Sequence, residues 1–450
     1  MTRGLPARLA AGLRRLAREL REPRSGERRE LCRQRWDSLP DELRTAQQAA
    51  GRVHVACGAT HGVLERCNFA CTSCYLTSIA NRVPKLPFEE VREQLDLLRR
   101  NLGPMGKVQI TAGEVTLLEP QELGRIVAYA RKIGLDAMVM TNGQRFSDEP
   151  DYLLTLVRDH GLRKVAIHVD GTQRGRTGFQ VGNDEAAQRP VRDHFASLIR
   201  ETRRRSGRRL DAAHTVTVTG DNLDQIPEIV DWTLANHDAF RMVSFQPVAE
   251  VGRTRDRGNT TVSLDTVWSR ICTALGRPLN RKALQFGHPA CNIVCPLFVV
   301  TLGDRNEIVE CAPVGDRRAA AIVGRLLDAV GGLDPLGAAP LRGALRLTSV
   351  LLRNPGLLAS TAVYSLIRGW RERRLLGSIA ARLLTLRGIR VRPWVLVVHA
   401  FMSEEELSTT AGQERLDACV FRVPVDGRMV SMCELNGTDL RLHLNRAQGA

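Results

Sequence analysis

The chain has 450 residues, of which 43% are hydrophobic and 25% are charged. This composition excludes a disordered tail and provides enough chain for a barrel of about 200 residues and a second unit. The formal net charge of +16 predicts an anionic partner, either nucleic acid or lipid headgroups. Because only 4% of the residues are aromatic, the stacking platforms of a single-stranded nucleic-acid binder are scarce, and the balance favours lipid.

Residues 1–50 are predicted to form a basic amphipathic helical segment. Leucines recur at steps of three and four over residues 5–21, with arginines on the remaining faces. A second, polar helix is predicted from Asp37 to Ala50. The first helix has two interpretations: it lies in the interface of an anionic membrane, or it packs on its own domain.

From Arg52 onward, short β-branched runs alternate with amphipathic helices, which predicts βα units and a parallel sheet. The predicted strands are His61–Leu64, Lys107–Thr111, Ala137–Thr141, Lys164–Val169, Ala213–Thr219 and Met242–Pro247. The predicted helices are Phe88–Leu102, Pro120–Lys132, Asp151–Asp159, Ala186–Arg205 and Leu223–Asn236. Six strands with their crossovers indicate an α/β domain at 51–280, a partial (βα)6 barrel with its functional residues at the carboxyl ends of the strands.

Three cysteines, Cys67, Cys71 and Cys74, follow the first predicted strand, with three and then two residues between them. Thiolates bind iron–sulfur clusters or zinc, and a closed structural zinc site normally has four ligands. No fourth Cys or His lies nearby in the sequence. The spacing therefore predicts an iron–sulfur cluster with one metal position left for another ligand.

This stretch resembles the signature of the radical S-adenosylmethionine (radical SAM) superfamily. The resemblance implies a [4Fe-4S] cluster held by the three cysteines, with SAM bound to the fourth iron. It further implies that the reduced cluster cleaves SAM to a 5′-deoxyadenosyl radical, which takes a hydrogen atom from the substrate. No catalytic side chain beyond the cluster is predicted, and the resemblance implies the same partial barrel.

Further motifs of that family follow the predicted strands. Ala112, Gly113 and Glu114 resemble part of its Gly-Gly-Glu-Pro loop, whose backbone and acid would receive the SAM ammonium group. The other candidate SAM ligands at strand ends are Thr141, Asn142, Asp170 and Arg253. For Thr141, Asn142 and Asp170 the alternative is a simple turn leaving a strand, and for Arg253 it is a solvated surface position.

A C-terminal region at 281–450 is predicted to hold an auxiliary [4Fe-4S] cluster. Five late cysteines are its candidate ligands: Cys291, Cys295, Cys311, Cys419 and Cys433. A helical insertion rich in Leu and Arg is predicted at 317–392. Its arginines interrupt every apolar run, so it is not a transmembrane segment, and its apolar faces either contact lipid or pack on one another.

The segments Val397–Met402, Ala418–Val420 and Met432–Asn436 resemble the C-terminal signature of archaeal tetraether-lipid synthases and their bacterial membrane-lipid-modifying relatives. That resemblance implies hydrogen abstraction from a hydrophobic substrate, here membrane lipid alkyl chains, with formation of a C–C bond. Such chemistry needs a dry cavity around the radical.

The sequence is also compatible with two other functions. A peptide- or protein-modifying radical SAM maturase would also carry auxiliary clusters. A non-enzymatic nucleic-acid-binding Fe–S protein explains the charge but gives Gly113 and Glu114 no purpose. For the enzyme we expect an anionic lipid substrate, an electron donor such as flavodoxin or ferredoxin, and a cytoplasmic location, peripheral on the inner face of the cell membrane.

Overall fold

Eleven strands in the described part of the chain form one mixed sheet. The computed structural model describes residues 26–179, 184–254, 262–303, 305–332, 340–371 and 389–449. The strands are Cys57–Ala59 (β1), Lys107–Ile110 (β2), Asp136–Thr141 (β3), Lys164–His168 (β4), Asp211–Val218 (β5), Phe240–Pro247 (β6), Asn292–Leu302 (β7), Arg305–Glu310 (β8), Ile389–His399 (β9), Phe421–Val425 (β10) and Arg428–Ser431 (β11). Their order across the sheet is β11-β10-β1-β2-β3-β4-β5-β6-β9-β7-β8.

Helices connect these strands and cover the outside of the sheet. They are Gly26–Asp37 (α1), Phe88–Leu102 (α2), Pro120–Lys132 (α3), Gln144–Asp148 (α4), Pro150–Arg158 (α5), Arg189–Ser206 (α6), Ile226–Ala235 (α7), Leu264–Ala274 (α8), Arg317–Val330 (α9), Pro340–Arg353 (α10), Pro355–Arg371 (α11), Glu404–Leu407 (α12), Thr410–Asp417 (α13), Met432–Gly437 (α14) and Leu440–Ala447 (α15). Helices α2 to α7 lie between successive strands from β1 to β6.

Strands β1 to β6 pair in parallel in chain order, which confirms the predicted partial barrel. Each outer helix packs through one apolar stripe, as α2 does with Val91, Leu95, Leu98 and Leu102. These side chains join the buried face of the sheet in one hydrophobic core. The parallel arrangement places the carboxyl ends of the strands at one edge, where the polar and cysteine-bearing loops collect.

The chain after residue 281 adds strands to both sides of this barrel. Strand β9 pairs in parallel with β6 and antiparallel with β7, and β8 then pairs with β7. On the other side, β10 pairs in parallel with β1 and carries β11 as its antiparallel neighbour. The C-terminal region therefore continues the same sheet, while the boundaries proposed at 50 and 280 stay predictions.

Several predicted elements differ from the structure. The first strand is Cys57–Ala59, while His61–Leu64 forms no strand; Val63 and Leu64 are buried by packing without a ladder. The segment 37–50 contains a short 3-10 turn, Asp41–Leu43, in place of the predicted helix. Pro40, directly before this turn, has an extended backbone with ψ 146°, which a continuous helix from Asp37 could not contain. The predicted helix over 5–21 lies outside the described residues.

The predicted helical insertion contains α9, α10 and α11, but its C-terminal end is a strand, since β9 begins at Ile389. Within the described residues, no single helix has the length and hydropathy of a membrane span. Helices α10 and α11 reach those criteria only together, over Gly343–Arg353 and Pro355–Trp370, and they meet at a bend of 116°.

Candidate functional site

The three clustered cysteines lie in the loop between β1 and α2, and their thiols line one cavity at the carboxyl ends of the barrel strands. The backbone of this loop is fixed from outside: Ala70 N–H donates to the Arg174 carbonyl over 2.9 Å, and Cys74 N–H donates to Thr254 Oγ1 over 3.1 Å. The Phe69 N–H points at Cys67 Sγ, 3.4 Å away. A donor aimed at sulfur stabilises a thiolate, the form that binds metal.

Burial opposes ionisation of these thiols when no metal is present. It raises the pKa of Cys67 to about 11 and raises the pKa of Cys71 further. The nearby carboxylates Glu114 and Asp170 act in the same direction. A positively charged iron centre would therefore supply the stabilisation that the protein interior withholds from the free thiolates.

Gly113 lets the loop after β2 approach the segment that leads into the cysteines. Its φ of +59° lies in the left-handed region, and a Cβ there would lie 2.3, 2.5 and 2.6 Å from the carbonyl oxygens of Leu64, Glu65 and Arg66. The next residue, Glu114, donates its N–H to the Arg66 carbonyl over 2.8 Å. The loop that the sequence predicted to bind SAM is thus bonded directly to the start of the cysteine loop.

The Glu114 carboxylate joins the ends of two strands. Oε1 accepts hydrogen bonds from Thr116 Oγ1 over 2.6 Å and from Thr141 Oγ1 over 2.7 Å, and Oε2 accepts from Asn142 N–H over 2.6 Å. Asn142 Nδ2 in turn donates to Asn68 Oδ1 over 2.8 Å. Burial raises the pKa of Glu114, and these hydrogen bonds oppose that shift. Glu114, Thr141 and Asn142 all line the cavity beside the thiols.

The remaining predicted SAM ligands lie around this cavity but not in its lining. Ala112 is fully buried and packs against Tyr75, Cys67 and Cys74. The Arg253 N–H donates to the carbonyl of Cys74 over 2.9 Å. Although burial opposes its charge, the three thiols raise the pKa of Arg253, which lies within electrostatic reach of all of them.

Asp170 is completely buried beneath His168, which does line the cavity. Its Oδ1 accepts from Thr172 Oγ1 over 2.6 Å, its Oδ2 accepts from Thr217 N–H over 2.7 Å, and Oδ2 also bonds to His168 Nε2. Although burial disfavours a charged imidazole, Asp170 raises the pKa of His168. The residue that faces the cavity at this strand end is therefore His168, and Asp170 holds it in place.

A buried ion pair supports the cysteine loop from the C-terminal end of the chain, and sequence reasoning missed it. Arg441 on α15 contacts Glu65 Oε1 over 2.7 Å, with the two side chains 4% and 1% exposed. The same oxygen accepts from Gly62 N–H, and the Arg441 guanidinium lies 5.0 Å from the centre of the Tyr75 ring. Because the two residues are 376 positions apart, no local pattern could have linked them.

Three of the five late cysteines form a second group. Cys291, Cys419 and Cys433 line one cavity together with His288 and His399. Each sulfur has a donor within 3.4 Å, and the three donors are Arg415 Nε, Phe421 N–H and Met402 N–H respectively. Burial raises the pKa of Cys433 to about 12, and Cys419 and Cys291 add to that shift. The group has the same donor-to-sulfur pattern as Cys67.

Cys295 and Cys311, the other two predicted auxiliary ligands, do not line this cavity. Cys295 is 1% exposed on β7 and packs in the core between the sheet and α8, while Cys311 follows β8. Burial, followed by the nearby Glu310 and Cys311, raises the pKa of Cys295. A strand advances about 3.3 Å per residue, so the four positions from Cys291 to Cys295 separate them by about 13 Å.

The two thiol groups face a shared space. Cys433 lines both cavities, and so do Phe401, Met402, Phe421 and Met432. The floor of the larger cavity is polar where the barrel strands end, at Gln109, His168, Thr215, Thr217 and Gln246. The wall formed by these shared residues is therefore apolar and bears Cys433, while the floor offers hydrogen-bonding groups.

The residues present fit a cluster and SAM. Within the described residues, no three His, Cys, Asp or Glu side chains are arranged around a single metal ion. Cluster thiolates instead bind separate irons. Ser73 Oγ, beside the last cysteine, and Arg253 Nε are buried with no hydrogen-bond partner among the described residues. Two unsatisfied polar atoms next to three thiols are the expected neighbours of a polar ligand on such a cluster.

Residues 63–233 match the radical SAM superfamily. The chain is 24% identical over 204 residues to the 7,8-dihydro-6-hydroxymethylpterin dimethyltransferase of Methanocaldococcus jannaschii, covering 43% of this chain and 37% of that protein. It is 28% identical over 233 residues to GTP 3′,8-cyclase 1 of Pseudomonas aeruginosa, covering 51% and 65%. The chain thus spans less than two thirds of the length of these curated relatives.

Among solved structures, SuiB of Streptococcus suis bound to the precursor peptide SuiA gives a TM-score of 0.35 at 15% identity, covering 51% of this chain and 47% of that one. The radical SAM family uses a [4Fe-4S] cluster and SAM, and Cys67, Cys71 and Cys74 lie within the matched residues. The match to the radical SAM superfamily therefore extends from the segment before the triple cysteine into α7.

Proposed function

We propose that this protein is a radical SAM enzyme with two iron–sulfur sites that face one substrate cavity, and that it acts on the alkyl chain of a membrane lipid. The first site is formed by Cys67, Cys71 and Cys74, and the auxiliary site by Cys291, Cys419 and Cys433. A single observation carries this proposal: Cys433 lines the same cavity as the first three thiols. A substrate in that cavity would lie between the two sites.

When bound, the cluster and SAM supply a 5′-deoxyadenosyl radical that takes a hydrogen atom from the substrate. The protein's own contribution is positional. Backbone N–H groups of Phe69, Phe421 and Met402 point at the sulfurs, and Glu114 holds the ends of β2 and β3 together beside the thiols. Around a reactive radical, such a preorganised and enclosed site excludes water and limits side reactions.

An amphipathic substrate suits the two kinds of wall. The side next to the auxiliary thiols is lined by Phe401, Met402, Phe421 and Met432, which fit an alkyl chain. The floor presents Gln109, His168 and Gln246, which can hydrogen-bond a polar group of the same molecule. With the anionic preference of a chain of net charge +16, a membrane lipid meets all three requirements, and C–C bond formation on its tail is the predicted outcome.

The two sites are tested by anaerobic reconstitution with iron, sulfide, SAM and a strong reductant. We expect Cys71→Ala to lose the first cluster and all release of 5′-deoxyadenosine, and to keep the auxiliary iron. Cys419→Ala should lose only the auxiliary iron. Cys272→Ala, on α8 outside both groups, is the matched control and should keep both. If Cys419→Ala and the unsubstituted protein hold equal iron, the auxiliary site is refuted.

The substrate is tested separately by core-lipid analysis of cells that carry or lack the gene, followed by incubation of the reconstituted enzyme with the lipid extract. We expect an altered alkyl chain only where the active enzyme is present. If core lipids are unchanged, and 5′-deoxyadenosine release rises with a peptide and not with lipid, the lipid proposal fails while the radical SAM assignment stands.

A further inference from the structure

Helix α11, Pro355–Arg371, presents its apolar side outward. Nine residues between Pro355 and Trp370 are exposed, and none of them is charged. Leu358, Ala362, Leu366 and Trp370 recur at steps of four and form one ridge along the helix. A surface helix of a globular protein normally shows the opposite arrangement, with its charged residues toward water.

The polar side of α11 faces the protein and fixes this orientation. Arg368 Nη1 donates to the Glu310 carbonyl over 2.6 Å, and the Tyr364 hydroxyl donates to Asp316 Oδ2 over 2.9 Å. Leu357, on the same inner side, is only 5% exposed. Rotating the helix to hide its apolar ridge would break both hydrogen bonds, so the outward apolar face is built into the fold.

The exposed side chains on this face are large. Leu366 is 75% exposed, Trp370 74% and Val363 55%, and Leu352 at the end of α10 is 67% exposed. Single exposed apolar residues are ordinary, but a contiguous group marks an interaction site. Helices α10 and α11 meet at a bend of 116°, so the pair cannot cross a bilayer as one straight helix.

The charge of the sequence segment that contains this face favours one kind of partner. Residues 340–390 contain ten arginines and one acidic residue, Glu372. A second copy of this chain would bring the same positive charge and repel it, whereas an anionic bilayer combines an apolar interior with negative headgroups. Arginines near such a surface are attracted to its negative headgroups. A tryptophan at the end of an apolar ridge also suits the headgroup level.

We propose that the α10–α11 pair docks the protein on an anionic lipid bilayer, with the ridge of α11 inserted among the acyl chains. The proposal deepens the proposed function, since docking would deliver lipid to the cavity. Its evidence comes from α10, α11 and the charge of residues 340–390, and its test uses neither SAM nor a reductant. Loss of binding and loss of radical chemistry are therefore separately observable.

The experiment is flotation of the full-length protein, with its clusters reconstituted, on two kinds of vesicle: phosphatidylcholine alone, and phosphatidylcholine with phosphatidylglycerol in equal parts. We expect binding to the anionic vesicles, weakened by salt, and little binding to the neutral ones. Leu366→Asp should weaken binding to the anionic vesicles by about tenfold or more. The change removes an alkyl group that the bilayer would bury and adds a charge to the inserted face. Met105→Asp, at a 48%-exposed apolar position before β2, should change nothing.

Trp370 provides a second readout. Trp232, Trp268 and Trp394 are at most 6% exposed, and Trp36 is partly buried under the Arg52 guanidinium. A shift in tryptophan emission on adding vesicles that comes from Trp370 should be lost in Trp370→Phe and kept in Trp36→Phe. Equal iron content and equal urea midpoints would show that the variants are folded. Equal binding of Leu366→Asp and Met105→Asp overturns the proposal. So does a protein that ignores both vesicles, or one that self-associates through this face.

Discussion

Replacing Gly113 by alanine tests whether the contact between the loop after β2 and the cysteine loop positions Cys67, Cys71 and Cys74. The new Cβ would lie 2.3 Å from the Leu64 carbonyl oxygen, and two further carbonyl oxygens would lie within 2.6 Å. A carbon and an oxygen approach to about 3.3 Å without repulsion, so one backbone segment must move by about 1 Å. That segment continues directly into Cys67.

The magnitude has two parts. A left-handed backbone costs a residue with a Cβ about 1–2 kcal/mol, and forcing a carbon into packed backbone costs about 1–3 kcal/mol more. Gly207 separates these parts, because its φ is +60° and nothing lies within 4 Å of the position that a Cβ would take there. We expect Gly207→Ala to lose about 1–2 kcal/mol of unfolding free energy and Gly113→Ala about 2–5 kcal/mol.

Urea denaturation measures the two free energies, and iron analysis after anaerobic reconstitution measures the clusters. Gly113→Ala should hold less iron at the first site and keep the auxiliary iron, while Gly207→Ala should hold both clusters. Equal destabilisation of the two variants, together with equal iron content, would refute a positioning role for this contact.

Two further predictions concern ion pairs. Asp136 on β3 contacts Lys107 over 2.8 Å and also bonds to Lys164. Asp136→Asn should therefore cost about 3 kcal/mol of unfolding free energy, measured by urea denaturation. The control Asp231→Asn, at an exposed site on α7, should cost almost nothing in the same assay. Burial opposes the charge of Asp136, but the two lysines outweigh it and lower its pKa below 3.8. The stabilisation by Asp136 is therefore present above that pH and is lost as the pH falls further. An Asp136→Asn effect that stays constant far below pH 3.8 would contradict this account. Arg441→Met should cost about 3–5 kcal/mol of unfolding free energy, because it leaves the Glu65 carboxylate buried and unpaired. The double variant Arg441→Met with Glu65→Gln should recover part of that loss. If nothing is recovered, the unpaired charge is not the cause.

Local patterns predicted the barrel well. The stripe of leucines in α2 and the proline at the start of α3 predicted both helices with the bounds that the structure has, because each signal lies within one helix. The same holds for Cys67, Cys71 and Cys74, whose spacing alone keeps them on one loop. Helix bounds and the cysteine loop were predictable because the residues that define them are neighbours in the sequence.

The failures concern residues whose partners are distant in the chain. Cys291 and Cys295 are close in sequence, but an extended strand separates them, and it is the return of β10 beside β1 that brings Cys419 toward Cys291. Asp170 was predicted at the cavity because it ends a strand, yet Thr217 on the neighbouring strand draws its carboxylate inward. Sheet order decides both cases, and the sequence does not state that order.

The return of β10 to β1 also bears on how the protein is made. A ribosome releases the cysteine loop early, but one neighbour of β1 and the cation that balances Glu65 are synthesised only after Phe421. Until then, β1 has an open edge and a buried carboxylate lacks its counter-ion, which is a state prone to aggregation. We therefore expect iron delivery to follow chain release, and fragments that end before Phe421 to be insoluble even though they contain the whole triple-cysteine motif.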